Sequence, residues 1–131
     1  GELNRLMCEM MEKFDAYLTE RNREVSEEAQ KLIQEERADE ARFLKAKANI
    51  FDVFKSLFRV SCQQAEGDTG KCDTLFLDKA KSVPMSWQKA LTLAKEHGDT
   101  ERILMEETKL SAVEEILERY EVFKAEGGDG E

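Results

Sequence analysis

The chain has 131 residues, 40% hydrophobic and 37% charged, with seven glycines, one proline, three cysteines and one histidine. A chain of this length buries enough apolar surface to hold a core without metal or disulfides, and so little glycine and proline argues against sandwiches, barrels and loop-rich scaffolds. The net charge is −9, and residues 96–131 carry 12 acids against four bases whereas residues 1–95 are nearly balanced. A nucleic-acid backbone or an anionic membrane surface calls for a basic face, so neither is expected as a partner.

Residues 2–66 contain neither glycine nor proline. Apolar side chains recur there at steps of three and four: Leu3, Leu6, Met10, Phe14, Tyr17 and Leu18, then Val25, Ala29 and Leu32, then Phe43 and Leu44. This is the periodicity of amphipathic helices, not the alternation of strands. A single helix over residues 2–65 would be about 95 Å long, far beyond a compact domain of this size. The run must therefore break in a polar interval or project and pair with another chain. Two polar intervals exist, Glu20–Glu24 and Gln34–Glu40. Ser26, followed by Glu27 and Glu28, is a plausible N-cap, which favours a break near Asn22–Ser26.

From Ala48 to Cys62 the apolar residues Ile50, Phe51, Val53, Phe54, Leu57, Phe58 and Val60 cover more than one stripe, as expected of the central helix of a fold. Gln64–Asp73 carries two glycines and reads as a loop, with Asp73 or Thr74 capping a short helix to about Lys81. Pro84 ends or kinks that helix and suits the first turn of the next. Gly98 is placed to close the helix that follows, and Asp99 to cap the last one through Phe123. The expected fold is all-α, an antiparallel bundle of four to five helices with a long N-terminal helix or helix pair. Residues 1–125 would form one domain, and the acidic, glycine-rich residues 126–131 a disordered tail.

No catalytic constellation is evident. His97 is the single histidine, Ala94 precedes it where a Glu-x-x-His metal motif needs glutamate, and no glycine-rich phosphate loop or CxxC occurs. Cys62 and Cys72 flank the glycine-containing loop, so a disulfide between them is sterically conceivable. The odd cysteine count and the lack of a secretion signal favour reduced thiols and a cytoplasmic location. In the last helix Glu114, Glu118 and Glu121 line one side, with Glu107 and Glu115 nearby, and Arg42, Lys45, Lys47, Lys55 and Arg59 of the central helix are the expected partners.

Glu35-Glu36-Arg37-Ala38-Asp39 is similar to the EExxE run through which all-α nucleoside triphosphate pyrophosphatases bind magnesium, and Glu96-His97-Gly98-Asp99 to their later ExxD. The sequence departs from that pattern: Asp39 replaces the last glutamate, the separation is longer than usual, and Gly98 should end a helix inside the second element. The resemblance implies a metal-dependent nucleotide hydrolase using Glu35, Glu36, Asp39, Glu96 and Asp99, kept as the alternative. The leading expectation is a helical interaction module without a cofactor. It would self-associate as a homodimer through a coiled-coil-like face of the N-terminal helix: Leu3, Met7, Met10, Met11, Phe14 and Leu18, where methionines supply an adaptable surface.

Overall fold

The computed structural model describes the backbone of residues 2–128 and the side chains of residues 8–126. Five helices follow in order: α1 (Glu2–Gln34), α2 (Ala38–Ala65), α3 (Thr69–Ser82), α4 (Met85–His97) and α5 (Thr100–Gly128), with no strand among the described residues. Turns of two or three residues make α1 and α2, α2 and α3, and α4 and α5 antiparallel neighbours. Between α3 and α4 the chain hardly turns. Val83 and Pro84 keep right-handed helical dihedrals, and the Pro84 carbonyl accepts from both the Trp87 and Gln88 amides at 3.0 Å. Proline lacks the N–H that a continuous helix would use there, so α3 and α4 form one interrupted rod. The molecule is thus a four-helix bundle in five pieces, each long element spanning about 40 to 50 Å.

The break in the first 65 residues falls in the second polar interval, not near Asn22–Ser26, and α1 is continuous through that segment. The reason is tertiary. The Asn22 amide donates to the Ala48 carbonyl of α2 at 2.7 Å, and Arg21 forks onto Glu115 of α5 at 2.9 and 3.1 Å. Arg23 pairs with Glu20 and Glu27 one turn away on either side. A run that looks solvated in one dimension is therefore fastened on two sides. α1 ends instead at Glu36, whose φ of 62° is left-handed. The Arg37 amide bonds back to the Leu32 carbonyl at 2.8 Å and the Glu36 amide to that of Ile33 at 3.1 Å, a Schellman closure. The same closure ends α4, where Asp99 bonds back to Ala94 at 2.9 Å and the left-handed residue is Gly98.

Asp99 then caps α5 by accepting the Arg102 amide, as expected. The cap of α3 is Asp68, which accepts the Lys71 amide at 3.0 Å, five residues before Asp73 and six before Thr74, the two expected caps. Most of the supposed loop is helix, and the turn is confined to residues 66–68. α5 continues through Gly128, past the expected end at 125, and residues 129–131 lie outside the described part.

α2 is the central helix, packing against α1, α3 and α5. The core is unevenly built. Toward the α2–α3 turn, Phe14, Phe58, Phe76 and Tyr120, one from each of α1, α2, α3 and α5, are all buried and meet pairwise with ring centroids 4.8 to 6.2 Å apart. Most pairs are edge-on or tilted, the geometry that aligns ring edges with ring faces. Toward the α1–α2 turn the buried apolar residues are small: Val25, Ala29, Ala41, Ala48 and Ala94.

Phe76→Ala should cost about 3–5 kcal/mol in urea denaturation, because it removes one of four interlocking rings from a dry junction. Glu36→Gly should instead raise stability by about 1 kcal/mol at unchanged m-value, since glycine adopts the left-handed dihedrals without the Cβ clash.

Candidate interaction surface

The described part of the N-terminal stripe is not an open face. Met10, Phe14 and Leu18 are fully buried in the chain's own core, and Met11 is half-buried against it. The expected dimer face is corrected for these residues: the hydrophobic stripe of α1 is covered by α2 and α5 of the same molecule. Leu3 and Met7 lie outside the residues whose side chains are described.

The two carboxylate groups singled out by sequence do lie at one end of the bundle, because the α1–α2 and α4–α5 turns share it and an Arg42–Glu101 ion pair spans them. They do not converge. Glu35, Glu36, Asp39, Glu96 and Asp99 are all exposed, and the Asp99 carboxylate is engaged as the α5 cap. The surface depression there is lined by Arg42, Asp99, Glu101, Arg102 and Met105, acids and bases together. Among the described residues no three acidic, histidine or cysteine side chains could hold a metal together.

The charged residues of α5 find other partners than expected. Glu115 hydrogen-bonds α1: it accepts from Tyr17 Oη at 2.5 Å and from Arg21 Nε and Nη2, while Lys47 of α2 acts on it only through its charge. Burial pushes the Glu115 carboxyl up, yet the Arg21 and Tyr17 hydrogen bonds outweigh it and hold the group below the usual carboxylate range. Burial and the same hydrogen bond raise the Tyr17 phenol. Arg59 bonds Asp15 of α1 through two nitrogens, and Glu121 pairs with Lys124 on its own helix. Asp73, no longer a cap, accepts from Tyr120 Oη at 2.5 Å and Lys124 Nζ at 3.1 Å, which gives the aromatic junction a polar anchor.

Glu106, not among the acids singled out by sequence, is the buried acid of α5. It is 1% exposed, with Lys109 Nζ 3.2 Å from both carboxylate oxygens and Arg102 Nε at 3.7 Å. Lys109 also lies 5.8 Å from the centre of the Trp87 ring on α4. A buried carboxylate needs such cations to offset its lost hydration. The repeat of α5 places Glu106 on the apolar stripe of Ile103, Leu110, Val113 and Leu117 and its exposed neighbour Glu107 off it, so its burial follows from the helical period although its charge does not.

Among the described residues the most exposed large apolar side chains are on α4 and the start of α5, with Val60 of α2 and Val122 late in α5 less exposed. Ala94 is the one fully buried residue of α4, Trp87 and Leu91 are half-buried, and Met85 and Leu93 are 53% and 55% exposed. Leu104, on the first turns of α5, is 50% exposed. α4 packs closely against α5 alone among its neighbours, unlike α2, which is held on three sides. Beside this patch the outer face of α4 carries Lys89 and Lys95, and that of α5 carries Glu107, Glu114 and Glu118, all exposed. Compared with known proteins, the chain matches no family model, no curated protein and no solved structure. Among the described residues no helix is long and apolar enough to cross a membrane.

The lowered Glu115 value sets the sign of a pH dependence. The folded carboxylate binds a proton less readily than the unfolded one, so its contribution is present above about pH 4.5 and is lost as pH falls through the folded value. Between about pH 5 and pH 3, Tm should fall more steeply for the native chain than for Glu115→Gln, with the variant the less stable of the two at neutral pH.

Proposed function

We propose that the chain is a cytoplasmic protein-interaction module that works by self-association, with α4 and the adjoining first turns of α5 as the contact surface and no cofactor. The observation that carries this reading is the state of α4. A helix bearing Met85, Trp87, Leu91 and Leu93 keeps one residue fully buried, and its largest aliphatic side chains face water together with Leu104. Removing such surface from water stabilises an assembly by about 25 cal/mol per Å².

The charges favour a second copy as the occupant. In a two-fold dimer each contact is made twice, so α4 of one molecule can lie on α5 of the other and the reverse. That arrangement sets Lys89 and Lys95 against Glu107, Glu114 and Glu118, whereas α4 against α4 would oppose like charges. The charge pairs select the orientation, and the apolar side chains supply the affinity.

Sedimentation velocity from about 1 to 100 μM should show a concentration-dependent dimer, with Leu93→Glu raising its Kd at least about tenfold. Because Leu93 is more than half exposed, the variant should keep its Tm within about 2 °C. A monomer throughout that range, or a dimer indifferent to both Leu93→Glu and Leu104→Glu, overturns the proposal.

A further inference from the structure

Cys62, near the end of α2, and Cys72, in the first turns of α3, have their sulfurs 2.8 Å apart across the 66–68 turn. The three cysteines of the chain are free thiols, and Cys8 lies exposed on α1. A disulfide needs about 2.05 Å, so closure requires the two sulfurs to approach by less than about 1 Å. We propose that Cys62 and Cys72 are a reversible thiol–disulfide pair that staples the α2–α3 corner, with a low-molecular-weight disulfide as the oxidant. The inference is independent of how the chain self-associates.

The two thiols differ in the way such an exchange needs. Cys62 is half-buried and reachable from solvent, whereas Cys72 is buried beneath it. Either thiol can donate to the other; with the more exposed Cys62 as the thiolate, the Cys72 S–H stabilises it and lowers the Cys62 thiol, while the same bond and burial raise Cys72. Asp15 opposes the lowering at Cys62, and Asp73 adds to the rise at Cys72, which Lys79 partly offsets. Cys62 is therefore the attacking group and Cys72 the resolving one.

In the first step the Cys62 thiolate attacks one sulfur of the small disulfide RSSR. The S–S bond of the oxidant breaks, RS⁻ leaves, and a Cys62–S–S–R mixed disulfide forms. Cys72 then gives its proton to solvent, and its thiolate attacks Cys62 Sγ. The second RS⁻ leaves, and the Cys62–Cys72 bond is complete. The protein loses two protons and two electrons, and RSSR becomes two RSH once the leaving thiolates take up protons. The surroundings suit a staple that opens and closes. The turn inside the ring holds two left-handed residues, Glu66 at φ 48° and Gly67 at φ 88°, and Lys79 of α3 bonds Ser61 and Gln64 of α2 at 3.2 and 2.8 Å. That bridge keeps the ends of both helices in register whether the sulfurs are joined or not.

The test uses the full chain with Cys8→Ser, which removes the exposed third thiol. The folded protein is equilibrated in mixtures of oxidised and reduced glutathione, quenched with an alkylating agent, and weighed intact. Trypsin cuts after Arg59, Lys71 and Lys79, so the two cysteines fall on separate peptides, 60–71 and 72–79. The expected product has lost two hydrogens, links those peptides within one chain, reverts with dithiothreitol, and melts at least about 5 °C higher than the reduced form. Cys72→Ser should stop at a stable glutathione adduct on Cys62, whereas Cys62→Ser should stay unmodified at the buried Cys72. Two alkylatable thiols at every glutathione ratio, a bond formed only between chains, or a bond that lowers Tm would each overturn the proposal. The unsubstituted pair decides the matter even if a serine variant fails to fold.

Discussion

The junction of Phe14, Phe58, Phe76 and Tyr120 is the constraint on which the bundle depends. Each of the four rods contributes one ring, and every ring touches the other three, so no helix can slide or rotate without opening a void among the rest. The junction also sets the register of the surrounding polar contacts. Tyr120 carries its hydroxyl out of the cluster to Asp73, and Tyr17, beside Phe14, reaches Glu115. Each hydrogen bond is made at the edge of the apolar mass that positions its donor, and among the described residues no buried side-chain nitrogen or oxygen lacks a partner.

Away from the junction the bundle thins. At the turn end, alanines and a valine let helices approach closely but bury little area, and Glu106 with its two cations stands where an apolar side chain would otherwise pack. α4 begins where Pro84 interrupts the rod and leans on α5 alone. The physics that makes one end rigid thus leaves the other with exposed Met85, Leu93 and Leu104, and the proposed contact surface follows from that asymmetry. The cysteine pair lies at the rigid end, where α2 and α3 are already held together.

Parts of the site were legible in one dimension and parts were not. Gly98 and Asp99 work as read because a left-handed helix end and a side-chain cap are local devices set by residues a few positions apart. Asp73 misled for the same reason. It has the chemistry of a cap, but Asp68 lies nearer the turn, and a phenol and an ammonium from α5 claim Asp73 instead. Glu106 and Glu107 are neighbours with identical chemistry; the helical period puts Glu106 on the apolar stripe, and the structure shows that Arg102 and Lys109 accompany its charge there. Met10, Phe14 and Leu18 of the N-terminal stripe are covered by the chain itself, because periodicity shows that a face is covered without showing what covers it.

The all-α class, the central place of the phenylalanine-rich helix, the proline interruption and the tight turn at Gly98 are written in local residue patterns. Each follows from spacing, composition or a single residue's backbone preference. Only the tertiary structure decided where the long N-terminal run breaks, which side chains fasten it, and which surface remains open. Those outcomes rest on contacts between residues far apart in the chain, such as Asn22 with Ala48 and Arg21 with Glu115. Hydrogen bonds of that kind hold a polar stretch in one unbroken helix by satisfying groups that, read along the chain alone, have no partner in view.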